Sequence, residues 1–250
     1  MPARSFFGTN SRLLLLAVVG VCATAADGKV DDTHLPGMAV QFCRTAESIT
    51  EPPPNLHVTA GEFVFGTLSP THACLAEAVR DNLTPRMETA EESYTDVKTS
   101  VTFFQRTFYR DTQLCARTQP FDKATPDHNV FLSAANGYCC YLSTESATKA
   151  KLKVLRGGSG ALMQGVPLAE GSLFETSFGE DVLHTLRLQV SGEDITCGVS
   201  AGGADDIFSE PLDEISTTDG TFKSGGVAFM PYDVRECAVL FRVVVERWSF

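Results

Sequence analysis

Alternation of apolar and polar residues with a period of two constrains the fold of this chain more than any other feature. In residues 94–105, Val97, Val101 and Phe103 fall on one side of an extended chain, and polar residues fall on the other. Similar short runs continue to residue 246, separated by turn formers such as Asn136-Gly137 and Asp219-Gly220. Because successive side chains of a strand face opposite ways, each run predicts a strand with a buried face. Many short strands between turns predict an all-β, two-sheet antiparallel sandwich.

One segment departs from this period. Residues 70–82 follow Ser69, begin with Pro70, carry apolar residues at helical spacing and end at Asn82. Serine at the N-cap and proline at the first helical position are typical of a helix start, so we expect one short N-terminal helix. Asn82 also begins the sequence Asn82-Leu83-Thr84, a candidate N-glycosylation site, although Pro85 directly after it disfavours use.

The N-terminus has the order of a secretory signal peptide. Arg4 and Arg12 precede an apolar run at residues 13–21, and the small residues Ala23-Thr24-Ala25 follow. An apolar run of about nine residues is too short for a bilayer core, which needs roughly twenty. We therefore expect residues 1–25 to be a cleaved signal peptide, and the mature chain to be secreted and to lack a membrane span.

Two further segments are expected after residue 25. Residues 26–60 are polar, contain Glu51-Pro52-Pro53-Pro54 and show neither a helical nor a strand period, which indicates an extended N-terminal segment. Residues 61–250 then form the sandwich domain, including the helix.

The charge of the chain argues against nucleic acid as a partner. The formal net charge is −11, with 20 basic and 31 acidic residues. Removal of Arg4 and Arg12 with the signal peptide leaves 18 basic residues and a net charge of −13. An acidic surface repels phosphate backbones, and no basic cluster interleaved with aromatic residues offsets it.

Seven of the eight cysteines remain after loss of Cys22, and an oxidising compartment favours disulfides between most of them. Because seven is an odd number, one cysteine cannot form a disulfide within the chain. No CxxC motif and no histidine at ligand spacing supports a metal site. Adjacent Cys139 and Cys140 face opposite ways on a strand, so one is expected to bond across the sheet and the other to lie in the core. The sequence does not fix the connectivity; the pairs we expect are Cys43 with Cys74, Cys115 with Cys140, and Cys197 with Cys237.

Several blocks of the chain together resemble a concanavalin A-like, laminin-G-type jelly roll. They are YTDVKTSVTFF, NGYCCYLS, KLKVLRGGSGALM, LHTLRLQVSGEDITCGVSAGG and DGTFKSGGVAFMPYDVRECAVLFRVVVERW. The last two are the most specific, and the resemblance covers about residues 92–247. It implies a jelly-roll sandwich, a fold that serves lectins, adhesion modules and glycosidases. The family often carries Asp or Asn after the phenylalanine of the last strand, to help hold calcium; Arg242 stands there, which argues against calcium, and no cofactor is expected.

Catalytic patterns are missing from the sequence. Glycosidases of this fold need two or three carboxylates at alternate positions of one strand, whereas acidic pairs here, such as Glu180-Asp181, are immediate neighbours. The five histidines are scattered, and none has a partner at metal-ligand spacing. We therefore expect no catalytic residue and no metal ligand.

The function favoured by the sequence is that of a secreted, non-catalytic binding module, lectin-like or adhesive, which recognises a glycan or an extracellular protein through the concave sheet. A glycan-active hydrolase of the jelly-roll class is the alternative. Sugar recognition uses an aromatic face against the ring and planar polar groups for the hydroxyls. The candidate ligand-binding residues are Arg117, Tyr138, Tyr141 and Arg156.

Overall fold

The computed structural model describes residues 38–45, 56–60, 62–65, 76–79, 86–89, 93–105, 111–119, 136–157, 165–179, 182–202, 211–231 and 237–246. Every regular element within these ranges is a β-strand, and the strands form two antiparallel sheets. The all-β, two-sheet prediction is confirmed. This part of the chain contains no helix with the length and hydropathy needed to cross a bilayer.

Sheet A has the strand order β14-β13-β12-β6-β16-β4-β3, with β1 also paired to β16. With strands numbered along the chain, its members are β1 (Met38–Thr45), β3 (Glu62–Phe65), β4 (Ala76–Val79), β6 (Val97–Phe104), β12 (His184–Ser191), β13 (Asp194–Ala201), β14 (Asp213–Thr218) and β16 (Cys237–Glu246).

Sheet B has the order β10-β9-β8-β7-β15-β5-β2, with β11 also paired to β9. Its members are β2 (Leu56–Ala60), β5 (Arg86–Thr89), β7 (Thr112–Thr118), β8 (Tyr138–Ser146), β9 (Lys149–Arg156), β10 (Val166–Glu170), β11 (Phe174–Glu175) and β15 (Gly226–Pro231).

The core lies between the inner faces of the two sheets. Each central strand contributes every second residue to one buried cluster, as the period of two predicts. From sheet A the fully buried members include Val101, Phe103, Leu186, Leu188 and Val199; from sheet B they include Leu114, Leu142, Leu152, Val154 and Phe229.

The structure corrects the predicted helix. Residues Ala76–Val79, inside the predicted range 70–82, form strand β4 between β3 and β16. The helix is therefore wrong for these four residues. Pairing with a strand on either side satisfies backbone groups over long range, and such tertiary pairing overrides a weak local preference for helix. The rest of that range, including Asn82, lies outside the described residues.

The N-terminal part of the chain contributes to both sheets. Strands β1 and β2 come from within residues 26–60, and they pair with β16 and β5. The predicted signal peptide, residues 1–25, lies outside the described residues.

Two disulfides replace the predicted connectivity. Cys115 bonds to Cys139, with a Cα–Cα distance of 4.0 Å, and Cys140 bonds to Cys197, with a Cα–Cα distance of 5.2 Å. The predicted pairs Cys115–Cys140 and Cys197–Cys237 are therefore wrong, and Cys139, which is in none of the predicted pairs, is bonded. Cys115 lies directly opposite Cys139 in the β7–β8 ladder, which favours that pair.

Cys139 and Cys140 do face opposite ways, as predicted. Cys139 lies on the outer face of sheet B, whereas Cys140 points inward and links β8 to β13 of the other sheet. The predicted pair Cys43–Cys74 cannot be compared, because Cys74 lies outside the described residues.

His184 is a buried titratable side chain at the start of β12. Its ring stacks on Phe178 at a centroid distance of 4.8 Å, and its Nε2 lies 2.8 Å from the hydroxyl of Thr176. Burial lowers the pKa of His184 from 6.5 to about 4. The folded protein therefore holds this imidazole neutral at physiological pH.

Acidification should destabilise the fold through His184. Between pH 6.5 and 4 the unfolded chain binds a proton that the folded chain does not, so stability is complete above pH 6.5 and falls as the pH drops towards 4. The loss should be about 3 kcal/mol. Urea unfolding at several pH values measures it. His184→Gln should flatten this part of the profile, whereas His57→Gln, which replaces an exposed histidine of β2, should leave it as steep as in the wild type.

Candidate functional site

The four predicted ligand-binding residues do not lie together. Arg117, Tyr138 and Arg156 surround the connection between β14 and β15 at one end of the sandwich. Tyr141 is three residues from Tyr138 in β8, and its side chain therefore lies on the opposite face of sheet B.

Arg117 is buried, and its guanidinium binds three segments of the chain that lie between strands or next to a strand end. It donates hydrogen bonds to the carbonyl oxygens of Thr95 (2.7 Å), Gly192 (2.8 Å) and Phe222 (2.8 Å). The carboxylate of Asp96 lies 3.5 Å from its guanidinium. Only 1% of Arg117 is exposed, and burial lowers its pKa although Asp96 opposes this. These contacts give Arg117 a stabilising role.

A β-bulge directs Arg117 inward. Strict alternation along β7 would place its side chain on the outer face, beside Gln113 and Cys115. The β7–β15 register slips at this point, and Arg117 adopts the left-handed region with φ of 51°. The bulge turns the side chain into the gap between the sheets, and period-two reasoning from the sequence cannot detect it.

Tyr138 and Arg156 both bind Asp219. The Tyr138 hydroxyl lies 2.7 Å from Asp219 Oδ1 and accepts from the backbone N–H of Phe222 at 2.9 Å. Arg156 donates to Asp219 Oδ2 at 2.7 Å and to the hydroxyl of Thr221 at 3.0 Å. Burial raises the pKa of Asp219, but hydrogen bonds from Thr221 and Tyr138 and the charge of Arg156 outweigh it and lower this pKa to about 2. Tyr138 is fully buried, so of these two side chains only Arg156 reaches solvent.

The outer face of sheet B carries a second cluster, which is half apolar and half polar. The apolar half is buried and consists of Cys115, Cys139, Leu155, Ala228 and Met230, and the ring of Tyr141 packs against it. The polar half alternates with core residues along the same strands and consists of Gln113, Ser143, Lys151 and Lys153.

Gln113, Tyr141 and Lys153 form one row across this face. The register places Gln113 of β7 opposite Tyr141 of β8, and Tyr141 opposite Lys153 of β9. Directly opposite residues have Cβ atoms about 5 Å apart, so the three side chains are neighbours. The hydroxyl of Tyr141 donates to Asp111, whose other oxygen accepts from the N–H of Thr144 at 3.3 Å. We call Gln113, Tyr141 and Lys153 the polar row.

Gln113 is the unusual member of the polar row. Only 5% of the residue is exposed, and its buried side-chain oxygen has no hydrogen-bond partner among the described residues. A buried acceptor without a donor costs about 1 to 3 kcal/mol, and most such groups in folded proteins have a partner. The described part of the chain therefore supplies no donor to the oxygen of Gln113.

The sequence predicted Tyr141 as a ligand-binding residue, but it did not predict Gln113 or Lys153. Gln113 and Lys153 occupy outward positions of runs that were correctly read as strands, but only the strand register shows that they flank Tyr141. No group of three or more His, Cys, Asp or Glu side chains within the described ranges is arranged to hold a metal ion.

Comparison with known proteins identifies the fold. No protein-family model matches the chain, and no curated protein does. Solved structures do match. The metal-free form of the VIP36 exoplasmic/lumenal domain has a TM-score of 0.54 at 12% identity, over 82% of this chain and 91% of that domain. Its Ca²⁺/Man₃GlcNAc-bound form has a TM-score of 0.53 at 13% identity, over 79% and 86%.

A third match is the CBM2 module of the evolved Dit of Lactobacillus casei BL23 phage J-1, with a TM-score of 0.51 at 9% identity, over 86% of this chain and 98% of the module. At these identities the similarity shows the fold alone. The fold is a concanavalin A-like jelly roll, as the resemblance in sequence implied.

Proposed function

We propose that this concanavalin A-like jelly roll is a secreted, non-catalytic module that binds glycans through the polar row of sheet B. The observation that carries the proposal is that the described residues offer no donor to the side-chain oxygen of Gln113, a residue directly opposite an aromatic side chain. A second support is that a domain of the same fold has been solved with Man₃GlcNAc bound.

The chemistry of the polar row suits a sugar. A pyranose ring presents C–H groups that pack on an aromatic surface and hydroxyls that need hydrogen-bond partners. Tyr141 supplies the aromatic surface, and its ring packs against the cluster that contains the Cys115–Cys139 disulfide. Gln113 accepts from a hydroxyl on one side of the tyrosine, and Lys153 donates on the other.

The disulfides fit an extracellular or lumenal location. Disulfides form and persist in oxidising compartments, and the cysteines of both described bonds are buried. Secretion through cleavage after residue 25 belongs to the proposal and rests on the sequence of the N-terminus. Mass spectrometry of the protein released by secreting cells tests this cleavage.

A glycan array probed with the secreted wild type and with Gln113→Met tests the binding site. Methionine fills a similar volume without an acceptor, so the free energy of unfolding should stay equal or rise by about 1 kcal/mol. Glycan binding should fall about tenfold, because the bound hydroxyl loses its acceptor. Gln189→Met, which changes a half-buried glutamine on the outer face of sheet A, is the control and should bind as the wild type does.

Three outcomes would contradict the proposal. Wild-type protein that binds no glycan on the array would rule out the lectin function and leave a protein partner. Equal glycan binding by the wild type and Gln113→Met would show that the binding site lies outside the polar row. Shortened glycan products after incubation with the wild type would establish the hydrolase alternative.

A further inference from the structure

Two lysines share one carboxylate at the edge of the polar row. Lys151 and Lys153 project from the same side of β9, and Glu170 of β10 lies opposite Lys153 in the ladder. The carboxylate of Glu170 nevertheless bonds to Lys151, at 2.7 Å. The hydrogen bond from Lys151 lowers the pKa of Glu170, and the charge of Lys153 lowers it further. The carboxylate of Glu170 thus interacts with two ammonium groups, by a hydrogen bond with Lys151 and by charge alone with Lys153.

Of these two lysines, Lys153 is the one whose ammonium is not paired with a carboxylate of the described residues. Its side chain makes no hydrogen bond and no ion pair within the described part of the chain. It is half-buried and lies directly opposite Tyr141. Lys153 therefore flanks the aromatic side chain on one side, and Gln113 flanks it on the other.

We infer that the glycan recognised by the polar row is acidic, and that its carboxylate or sulfate group binds the ammonium of Lys153 while a neighbouring hydroxyl donates to Gln113. This inference rests on the proposed function and adds the ligand class. An ammonium donates charge-assisted hydrogen bonds to carboxylate or sulfate oxygens, and these bonds are stronger than those to neutral hydroxyls.

The net charge of the chain does not prevent this contact. At physiological ionic strength the Debye length is about 8 Å, so acidic groups farther from Lys153 are largely screened. Two carboxylates at the polar row are already engaged: Glu170 binds Lys151, and Asp111 accepts from Tyr141 and Thr144.

The test uses two pairs of polymers that differ only in charge. Polygalacturonate and its methyl ester form the carboxylate pair, and dextran sulfate and dextran form the sulfate pair. Surface plasmon resonance with the secreted protein should show preference for the acidic member of at least one pair, and the pair that responds identifies the acidic group. Lys153→Gln should weaken that binding about tenfold and leave binding to the neutral member unchanged.

Two further variants separate a local contact from a general charge effect. Lys149→Gln removes the same charge from the same side of β9, about 13 Å along the strand, and should bind as the wild type does. Glu170→Gln releases Lys151 as a second cation and should raise affinity for the acidic polymer. Thermal unfolding of each variant verifies that it is folded.

The possible failures are distinguishable. Equal binding to the acidic and neutral members of both pairs, or equal losses for Lys153→Gln and Lys149→Gln, overturns the acidic-ligand inference and leaves glycan binding intact. Absence of binding to all four polymers and to the whole glycan array overturns the inference and the proposed function together.

Discussion

Replacement of Arg117 by methionine should lower the free energy of unfolding by about 3 to 5 kcal/mol. The change leaves the carbonyl oxygens of Thr95, Gly192 and Phe222 without their donor. A hydrogen bond to a charged group contributes about 1.5 to 3 kcal/mol, and removal of one partner from a buried charged network costs about 3 to 5 kcal/mol. Methionine keeps most of the side-chain volume, so the loss reports the hydrogen bonds rather than a cavity. Urea unfolding followed by fluorescence measures it.

Arg156→Met is the matched control for this measurement. Arg156 is an arginine of the same end of the sandwich, but its side chain is one-third exposed and its partners are Asp219 and Thr221. Exposed ion pairs contribute about 1 kcal/mol or less, so this variant should lose little stability. Equal losses in the two variants would show that Arg117 does not hold the three connections together.

Arg117 also marks where sequence reasoning stops. The residue types at positions 113–118 were sufficient to predict a strand, which the structure confirms as β7. They were insufficient to locate the bulge, because the extra residue depends on how β15 pairs with β7. A residue assigned to a ligand from its strand position therefore proves to bind three backbone carbonyls.

The candidate site was predictable to the same extent. Tyr141 was recognised from its type and its place in a hairpin. Gln113 lies 28 residues earlier in the chain and Lys153 twelve residues later, and nothing local in the sequence relates them to Tyr141. Their meeting depends on the register of three strands, which hydrophobic periodicity does not specify. The buried state of the Gln113 oxygen is likewise a property of the folded sheet.

The adjacent cysteines show a third limit. The strand period predicts that Cys139 and Cys140 face opposite sides, and it is right. The partner of each depends on which strand lies beside β8 and which lies across the core. Cys115 is the residue opposite Cys139 in the ladder, and Cys197 faces Cys140 from the other sheet. One disulfide therefore joins neighbours within a sheet, and the other joins the two sheets.

The disulfide between the sheets should contribute more to stability than the one within sheet B. The Cys140–Cys197 bond closes 57 residues and the Cys115–Cys139 bond closes 24. Loop-closure entropy assigns them about 4 and about 3.4 kcal/mol. The difference should widen in the protein, because β7 and β8 are already held by their ladder, whereas β8 and β13 share no backbone hydrogen bonds.

Two double variants measure this order. Cys140→Ala with Cys197→Ala should lose about 4 kcal/mol or more in guanidinium unfolding without reductant, and Cys115→Ala with Cys139→Ala should lose less. Both remove two buried sulfur atoms, so their cavity costs are similar and the difference isolates the position of the cross-link. A larger loss for the pair within sheet B would contradict this order. It would mean that core packing is sufficient to hold the two sheets together, and that the outer disulfide, next to Tyr141, contributes more to stability.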